Sequence, residues 1–312
     1  MKSPVATLQE LLETNRAPGT RGVDPTRRRR AIITGGDTGI GRYTALALAE
    51  AGCDVAITYA HDTEEDAKLT AQGVQSFGRE CYVFHLDLKR PESANEVVDA
   101  MVARLGGLDI FVSNAGNMSG KAFPELSLDD MRELFDINLL GAVIGCQRAA
   151  QHMLGMSPTD GSTVKQVAEQ IRRFATGELA SPRDTPGRII VNTSVHEHIV
   201  NPIDSIYPMT KHALGSFIKS AAYALKGTNI TVNGVRPGMI ATPINKMGPE
   251  DALSQKSKYL PVPRPGHPTE IASMIRYLAS DETAYITGAS YDVDGGMAVG
   301  GALSQEMYQK AV

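Results

Sequence analysis

The sequence carries no surplus of positive charge. Its 31 lysines and arginines are outnumbered by 35 aspartates and glutamates, for a net charge of -4. Without a basic footprint, nucleic acid is not an expected partner. No uninterrupted apolar run reaches the about 18 residues that a membrane-spanning helix needs, and the N-terminus shows no signal-peptide h-region. Cysteine is scarce. Cys53, Cys81 and Cys146 lie far apart, with no C-x-x-C pair and no histidine cluster. That spacing speaks against a disulfide frame and a zinc site and suits reduced thiols in a cytoplasmic protein. What the chain does have is an ordinary globular composition over 312 residues, 42% hydrophobic and 21% charged, and 30 glycines whose positions carry information.

Residues 1–28 read as an N-terminal extension, charged and punctuated by Pro and Gly, with the Arg27 to Arg30 run a solvated lead-in to the first strand. Glu10 and Glu13 interrupt it and argue against a transit peptide. Residues 29–312 read as one domain. "AIIT", "DVAITY", "CYVFHLDL", "LDIFVSNAG", "GRIIVNTS", "ITVNGVRPG" and "GASYDVDGG" are strand segments, and helical stretches such as "RYTALALAEAG" and "ALGSFIKSAAYALKG" fall between them. Such alternation predicts parallel βαβ units and an α/β fold, a doubly wound parallel sheet covered on both faces. Residues 157–187 break the rhythm, because a connection of this kind usually takes about 2–6 residues. Turn signals at both ends and an amphipathic stretch from Val164 to Phe174 predict an inserted helical hairpin before strand five. It is expected at the N-terminal edge of the sheet or on the surface, as a surface elaboration in preference to an oligomer contact.

The residues with chemistry fall at the C-terminal ends of the strands, where doubly wound sheets bind ligands. "ITGGDTGIGR" closes the first strand and opens the first helix. In it Thr34, Gly35, Thr38, Gly39, Ile40 and Gly41 make a T-G-x-x-x-G-x-G loop that lets backbone amides and a helix N-terminus meet a pyrophosphate. No G-K-[ST] follows, so it is not a nucleotide-hydrolase loop. The second strand ends at Tyr59 with no acid to bind a ribose 2′-hydroxyl and no arginine to clamp a 2′-phosphate. Thr38, Arg42 and His61 are left to favour the phosphate, which leans the reading to NADP with NAD the alternative. Asp87 and Leu88 end strand three, Asp87 as an acceptor for an adenine amine. Asn114, Ala115 and Gly116 end strand four, a turn small enough for a cofactor to lie on. After strand six, Pro237 and Gly238 shape a turn whose following backbone, at Ile240, can meet a carboxamide, and Thr242 can reach a phosphate.

"IYPMTKHALG" places Tyr207 and Lys211 four positions apart, one turn along a helix face. A phenol loses its proton near pH 10, and a neighbouring ammonium lowers that value. Pro208 predicts that the helix begins there, with Tyr207 at its cap. The H-E-H triplet around Glu197 lacks a fourth metal ligand and reads as a lining of the substrate mouth. Asp292 and Asp294 read as turn formers, Met239, Met247 and Met297 as padding of the cleft, and residues 243–262 as a lid.

Thr34, Gly35, Gly39, Ile40, Gly41, Asn114, Ala115, Gly116, Asn138, Ser194, Tyr207, Lys211, Pro237 and Gly238, in this order and at these separations, resemble the short-chain dehydrogenase/reductase family. The resemblance runs from about Ala31 to Gly296. "NTSVHEH", "RPGMIATPIN" and "DVDGG" are most similar to its glucose 1-dehydrogenase-like branch. It implies an enzyme that moves a hydride between a nicotinamide and a carbonyl or alcohol substrate. Tyr207 would exchange a proton with the substrate oxygen. Lys211 would lower the phenol's pKa and hold the nicotinamide ribose. Ser194 would bond the substrate oxygen, and Asn138 would hold a water linking Lys211 to solvent. Helices around residues 128–153 and 210–226 would pair subunits into a homotetramer or homodimer. A 3-oxoacyl-thioester reductase and a glucose-type sugar dehydrogenase remain alternatives. So does a non-enzymatic dinucleotide-sensing scaffold, against which the intact Ser, Tyr, Lys and Asn set speaks.

Overall fold

The computed structural model describes residues 28–60, 63–156, 164–179, 186–201, 204–257 and 260–299. Most of the expected N-terminal extension, His61, and Lys258 of the expected lid lie outside them. Strands β1 (Arg29–Ile33), β2 (Cys53–Tyr59), β3 (Cys81–His85), β4 (Ile110–Ser113), β5 (Gly187–Asn192), β6 (Ile230–Pro237) and β7 (Ser290–Val293) form one sheet. Its order is β3-β2-β1-β4-β5-β6-β7, parallel at every pairing. The chain winds outward from β1 to β3 and then restarts at β4, so the order reverses between β1 and β4. The predicted doubly wound α/β sheet is the fold.

Helices α1 (Gly39–Glu50), α2 (Glu64–Ser76) and α9 (Pro268–Ala279) cover one face. Helices α3 (Ser93–Leu105), α5 (Gly141–Met153) and α7 (Ile206–Ala224) cover the other. The period-2 alternation of strand side chains divides the core between them. Ala31, Ile33, Ile110, Val112 and Ile190 pack with Leu48, Ile271 and Ile275. Their neighbours in sequence, Ile32, Phe111, Ile189 and Val191, pack with Met101, Cys146, Leu214 and Ile218. Helix α4 (Leu128–Phe135) opens on a capping box between Ser127 and Asp130. It runs through a π turn, Asp136–Leu140, into α5.

Three local expectations change. Of the arginine run, Arg27 lies outside the described residues and Arg28 is exposed ahead of the strand, but Arg29 and Arg30 belong to β1, Arg29 donating to the Ala279 carbonyl at 2.6 Å and Arg30 pairing with Asp109 at 3.2 Å. Strand β3 stops at His85, so Asp87 and Leu88 sit in the turn beyond it. Among the described residues of 157–187 there is one helix, α6 (Val164–Ala175), and it is no mere surface elaboration, because Phe174 is buried in the same core as Met153, Leu225 and Ile230. These partners lie at the C-terminal ends of α5 and α7 and the N-terminal end of β6, the edge of the sheet opposite the ligand-binding end. Gly227 permits the docking: a Cβ there would lie 2.3 Å from the Phe174 carbonyl oxygen, and its φ of +82° suits only glycine.

Candidate active site

The loop between β1 and α1 is built around bare backbone. An added Cβ at Gly41 would lie 1.8 Å from the Gly35 carbonyl oxygen, so only glycine fits where α1 turns against the loop. Gly35 and Gly39 hold φ of +62° and +50°. Thr38 caps α1 in extended conformation, and the loop thereby points the helix N-terminus out of the sheet's end. The Thr34 hydroxyl accepts from the Asn114 and Ala115 amides, both at 3.0 Å. The Asn114 side chain donates back to the Thr34 and Gly35 carbonyls at 3.0 and 2.9 Å. The ends of β1 and β4 are thus stitched at the point where strand order reverses. A Cβ at Gly39 would lie 3.3 Å from Thr242 Cγ2, which places the stretch after β6 against the glycine loop. Here Thr242 and Asn245 both donate to the Ile240 carbonyl, at 3.3 and 2.8 Å, while the Ile240 side chain is core. This cradle fits the phosphates of a dinucleotide: close-packed backbone, positive φ and a helix N-terminus.

The outlying cofactor candidates have local partners. Tyr59 packs edge-on to His85, the last residue of β3, at 5.4 Å between ring centroids. Asp87 accepts from the Lys89 amide at 3.0 Å and shapes its turn, while Leu88 fills the space left by Gly141. Gly238 packs against the Asp294 backbone. Asp292 is not a turn former but a residue of β7, ion-paired to Arg236 at 2.7 Å. Arg42 is already engaged: it donates to Asp66 at 2.7 Å, to the Asp37 carbonyl at 2.9 Å and to Thr70 at 3.1 Å.

Asn138, Ser194, Tyr207 and Lys211 come together at the C-terminal ends of β4 and β5. Helix α7 begins at Ile206, two residues earlier than Pro208 suggests, so Tyr207 lies inside its first turn. Proline is tolerated there because amides of the first turn have no intrahelical partner. The Tyr207 and Lys211 side chains therefore share a face, with the ammonium 5.4 Å from the ring centroid. Ser194, the last residue before a short 3-10 turn, accepts from the His196 amide at 3.2 Å and lies near enough to the Tyr207 phenol to lower its pKa. Lys211 is buried and donates to the Asn192 carbonyl at 3.2 Å. Asn138 sits in the π turn, an irregularity common at functional sites. Its side chain brackets the Asn117 backbone, accepting from N–H and donating to C=O at 2.8 Å each. A Cβ on Gly116 would be 3.2 Å from Asn138 Oδ1 and 3.6 Å from Lys211 Nζ, so this glycine keeps the space between them open.

Burial sets the charges. It pushes the Tyr207 phenol up to about 12, with nearby Ser194 working the other way and the Asp204 charge adding to the rise. It pushes Lys211 down to about 8, opposed by the charge of Glu197. The lowering of the phenol expected from Lys211 is not seen in the protein alone, where desolvation sets the direction.

Sequence reasoning missed Asp204, Asn192 and Asn117. Asp204 is fully buried, accepting from the Ser119 and Gly120 amides at 2.7 and 3.0 Å and from the Tyr207 amide at 3.0 Å. It ties the loop after β4 to the first turn of α7. Its signal was an acid three residues before the tyrosine, where a helix cap is looked for. Asn192 ends β5 and bonds Asn114 at 2.8 Å; its place at a strand end was the available clue. Asn117 serves through its backbone and left no signal. The H-E-H side chains diverge. His196 packs edge-on to Tyr207, centroids 5.9 Å apart, whereas His198 meets Arg236 and Glu197 is buried. Of the expected lid, Pro243–Asn245 and α8 (Asp251–Ser254) are short helical turns, and the Val262 amide ties its far end to the Gly295 carbonyl at 3.0 Å.

Comparison with known proteins agrees with this fold. The family model described as short chain dehydrogenase matches residues 29–167, and that described as Enoyl-(Acyl carrier protein) reductase matches residues 162–298. The uncharacterized oxidoreductase YohF of Escherichia coli (strain K12) is 38% identical over 266 residues, 85% of this chain and 94% of that one. Glucose 1-dehydrogenase of Gluconobacter oxydans is 29% identical over 277 residues, 88% of this chain and 93% of that one. The crystal structure of acetoin dehydrogenase YohF from Salmonella typhimurium superposes with a TM-score of 0.74 at 36% identity, covering 88% of this chain and 98% of that one. The chain belongs to the short-chain dehydrogenase/reductase family, oxidoreductases that act on alcohols and ketones with NAD(P). Among the described residues, no helix is long and apolar enough to cross a membrane.

Proposed function

We propose that the chain is an NAD(P)-dependent oxidoreductase for a small carbonyl or alcohol substrate, with Tyr207 as the proton-exchanging acid and base. The observation that carries this reading is the convergence of three side chains: buried Lys211 has its ammonium 5.4 Å from the Tyr207 ring centroid, and Ser194 lies beside the phenol. The nicotinamide supplies or accepts the hydride. Ser194 and Tyr207 present two hydroxyls to one substrate oxygen, which fixes the carbonyl and delivers or removes its proton. Lys211 holds the nicotinamide ribose, and Asn138 keeps the loop after β4 in place behind it. Thr34, Gly35, Thr38, Gly39, Ile40, Gly41, Asn114, Ala115, Gly116, Gly238 and Thr242 form the cofactor's bed. The likeness to acetoin dehydrogenase puts short hydroxyketones first among substrates. A screen over acetoin, simple ketones, sugars, steroids and oxoacyl thioesters with both cofactors tests the reading; folded protein inert on every one would overturn it.

Cofactor choice is the finer part of the proposal. Arg42 favours a 2′-phosphate, but Asp66 shares its guanidinium, and charge-assisted bonds already formed weaken new ones. NADP is expected to be preferred by no more than about a hundredfold, or about 2.8 kcal/mol. Asp66→Asn, which frees Arg42, is expected to widen that preference about two- to fivefold, the range of an exposed ion pair. Titration of both cofactors at low salt decides it, and a preference for NAD would refute the role of Arg42. Assembly as a homotetramer or homodimer belongs to the same proposal. Ala213, Ser216, Ala221 and Ala222 on α7 are small enough for close helix approach, and light scattering at micromolar concentration should show no stable monomer.

A further inference from the structure

Glu197 is a buried charge that the proposed chemistry leaves without a task. It is 5% exposed, and its Oε1 has no hydrogen-bond partner. Its contact with Arg236, from Nη1 to Oε2, is long at 3.5 Å. Arg236 is held elsewhere, donating to Asp292 at 2.7 and 3.2 Å and to the Ser290 carbonyl at 3.0 Å, and meeting His198. A carboxylate so thinly bonded is costly to bury. The chain nevertheless makes room for it. A Cβ on Gly215 would lie 2.5 Å from Oε2, so the carboxylate occupies the space where a side chain would stand. Gly215 lies four residues beyond Lys211 and eight beyond Tyr207, on the same face of α7. The carboxylate therefore rests on the helix face that carries the catalytic pair, at the position one turn beyond Lys211 along the helix.

We infer that Glu197 is a positioning residue that holds Lys211 in its charged form, acting across the notch left by Gly215. The inference rests on the proposed role of Lys211 as a ribose-holding ammonium. Other charged or titratable groups face this pair from each neighbouring element. Tyr207 on α7 is neutral, and burial pushes His196 toward its neutral form. Asp204, before α7, is taken up by three backbone amides. Arg236 on β6 and Asp292 on β7 largely cancel each other, with His198 against the guanidinium. Glu197 is the carboxylate left to oppose the loss of the lysine's proton.

The test reads Lys211 directly. With isotope-labelled lysine, its Nζ resonance is identified by its loss in Lys211→Met and followed through a pH titration without substrate or cofactor. Glu197→Gln is expected to lower the Lys211 midpoint by about one unit, the scale of a lost opposite charge, with exposed Lys219 unmoved. Gly215→Ala, whose methyl displaces the carboxylate, should shift it the same way and serves if Glu197→Gln does not fold. Glu197→Asp should restore most of the shift. The alkaline limb of kcat/KM should move to lower pH by the same amount, with activity recovered on the acid side. A folded variant whose Lys211 titrates as in the wild type, or at higher pH, overturns the inference. A shifted titration in a protein inert on every substrate would uphold it and overturn the proposed function instead.

Discussion

Replacing Tyr207 with phenylalanine is expected to cut kcat at least about 100-fold while leaving cofactor binding largely intact. The substitution removes one oxygen and keeps the ring. The ring's edge contact with His196 and its place beneath Lys211 are made by carbons and survive. What disappears is the hydroxyl near Ser194 that the proposed chemistry presents to the substrate. Ser194 can still orient a carbonyl, but its own proton is far too tightly held to serve at neutral pH. The loss should therefore appear in kcat and in kcat/KM together, as it does when an interaction made only in the transition state is removed. Steady-state kinetics beside a cofactor titration separates the two effects. Turnover close to the wild type would remove Tyr207 from the mechanism.

Asp204→Ala is expected to lower the free energy of unfolding by about 2–3 kcal/mol and to depress turnover as well. Three partly buried amides, of Ser119, Gly120 and Tyr207, lose their acceptor, and each donor costs up to about 1 kcal/mol where solvent reaches it, the low end of the range for an unsatisfied buried donor. Water entering the vacated space recovers part of this. Asp204→Asn keeps the volume but offers one acceptor oxygen to donors on two sides, so it should fall between alanine and the wild type. Urea unfolding with an unchanged m-value reads the stability, and kcat reads the coupling of the loop after β4 to the first turn of α7. A stable, fully active alanine variant would show that loop and helix hold their places without the clamp.

Much of this site is written locally. Gly35, Gly39 and Gly41 are legible because the loop expected to cradle a phosphate needs positive φ at the first two and close backbone at the third, and glycine supplies either. Tyr207 and Lys211 are legible because a helix repeats every 3.6 residues, and the strands because their alternation is that of a sheet buried on both faces. Errors arose where a local rule competed with a tertiary one. Pro208 argued for a helix start that the Asp204 carboxylate moves back to Ile206, since it accepts the Tyr207 amide and leaves the proline in a turn that asks for no donor. Arg29 and Arg30 look like a solvated run, yet Asp109 and the Ala279 carbonyl, distant in sequence, draw them into β1.

The sequence by itself determined the winding of the sheet, the glycine loop at its first strand and the identity of the chemical groups, because these follow from period, backbone freedom and side-chain type within a few residues. The tertiary structure alone decided their charges and company. That burial drives Tyr207 up and Lys211 down, that Glu197 lies in the notch at Gly215, and that Asp66 claims Arg42 all depend on segments that meet only when the chain is folded. Desolvation and Coulomb forces act through space, and spacing along the chain carries no measure of them.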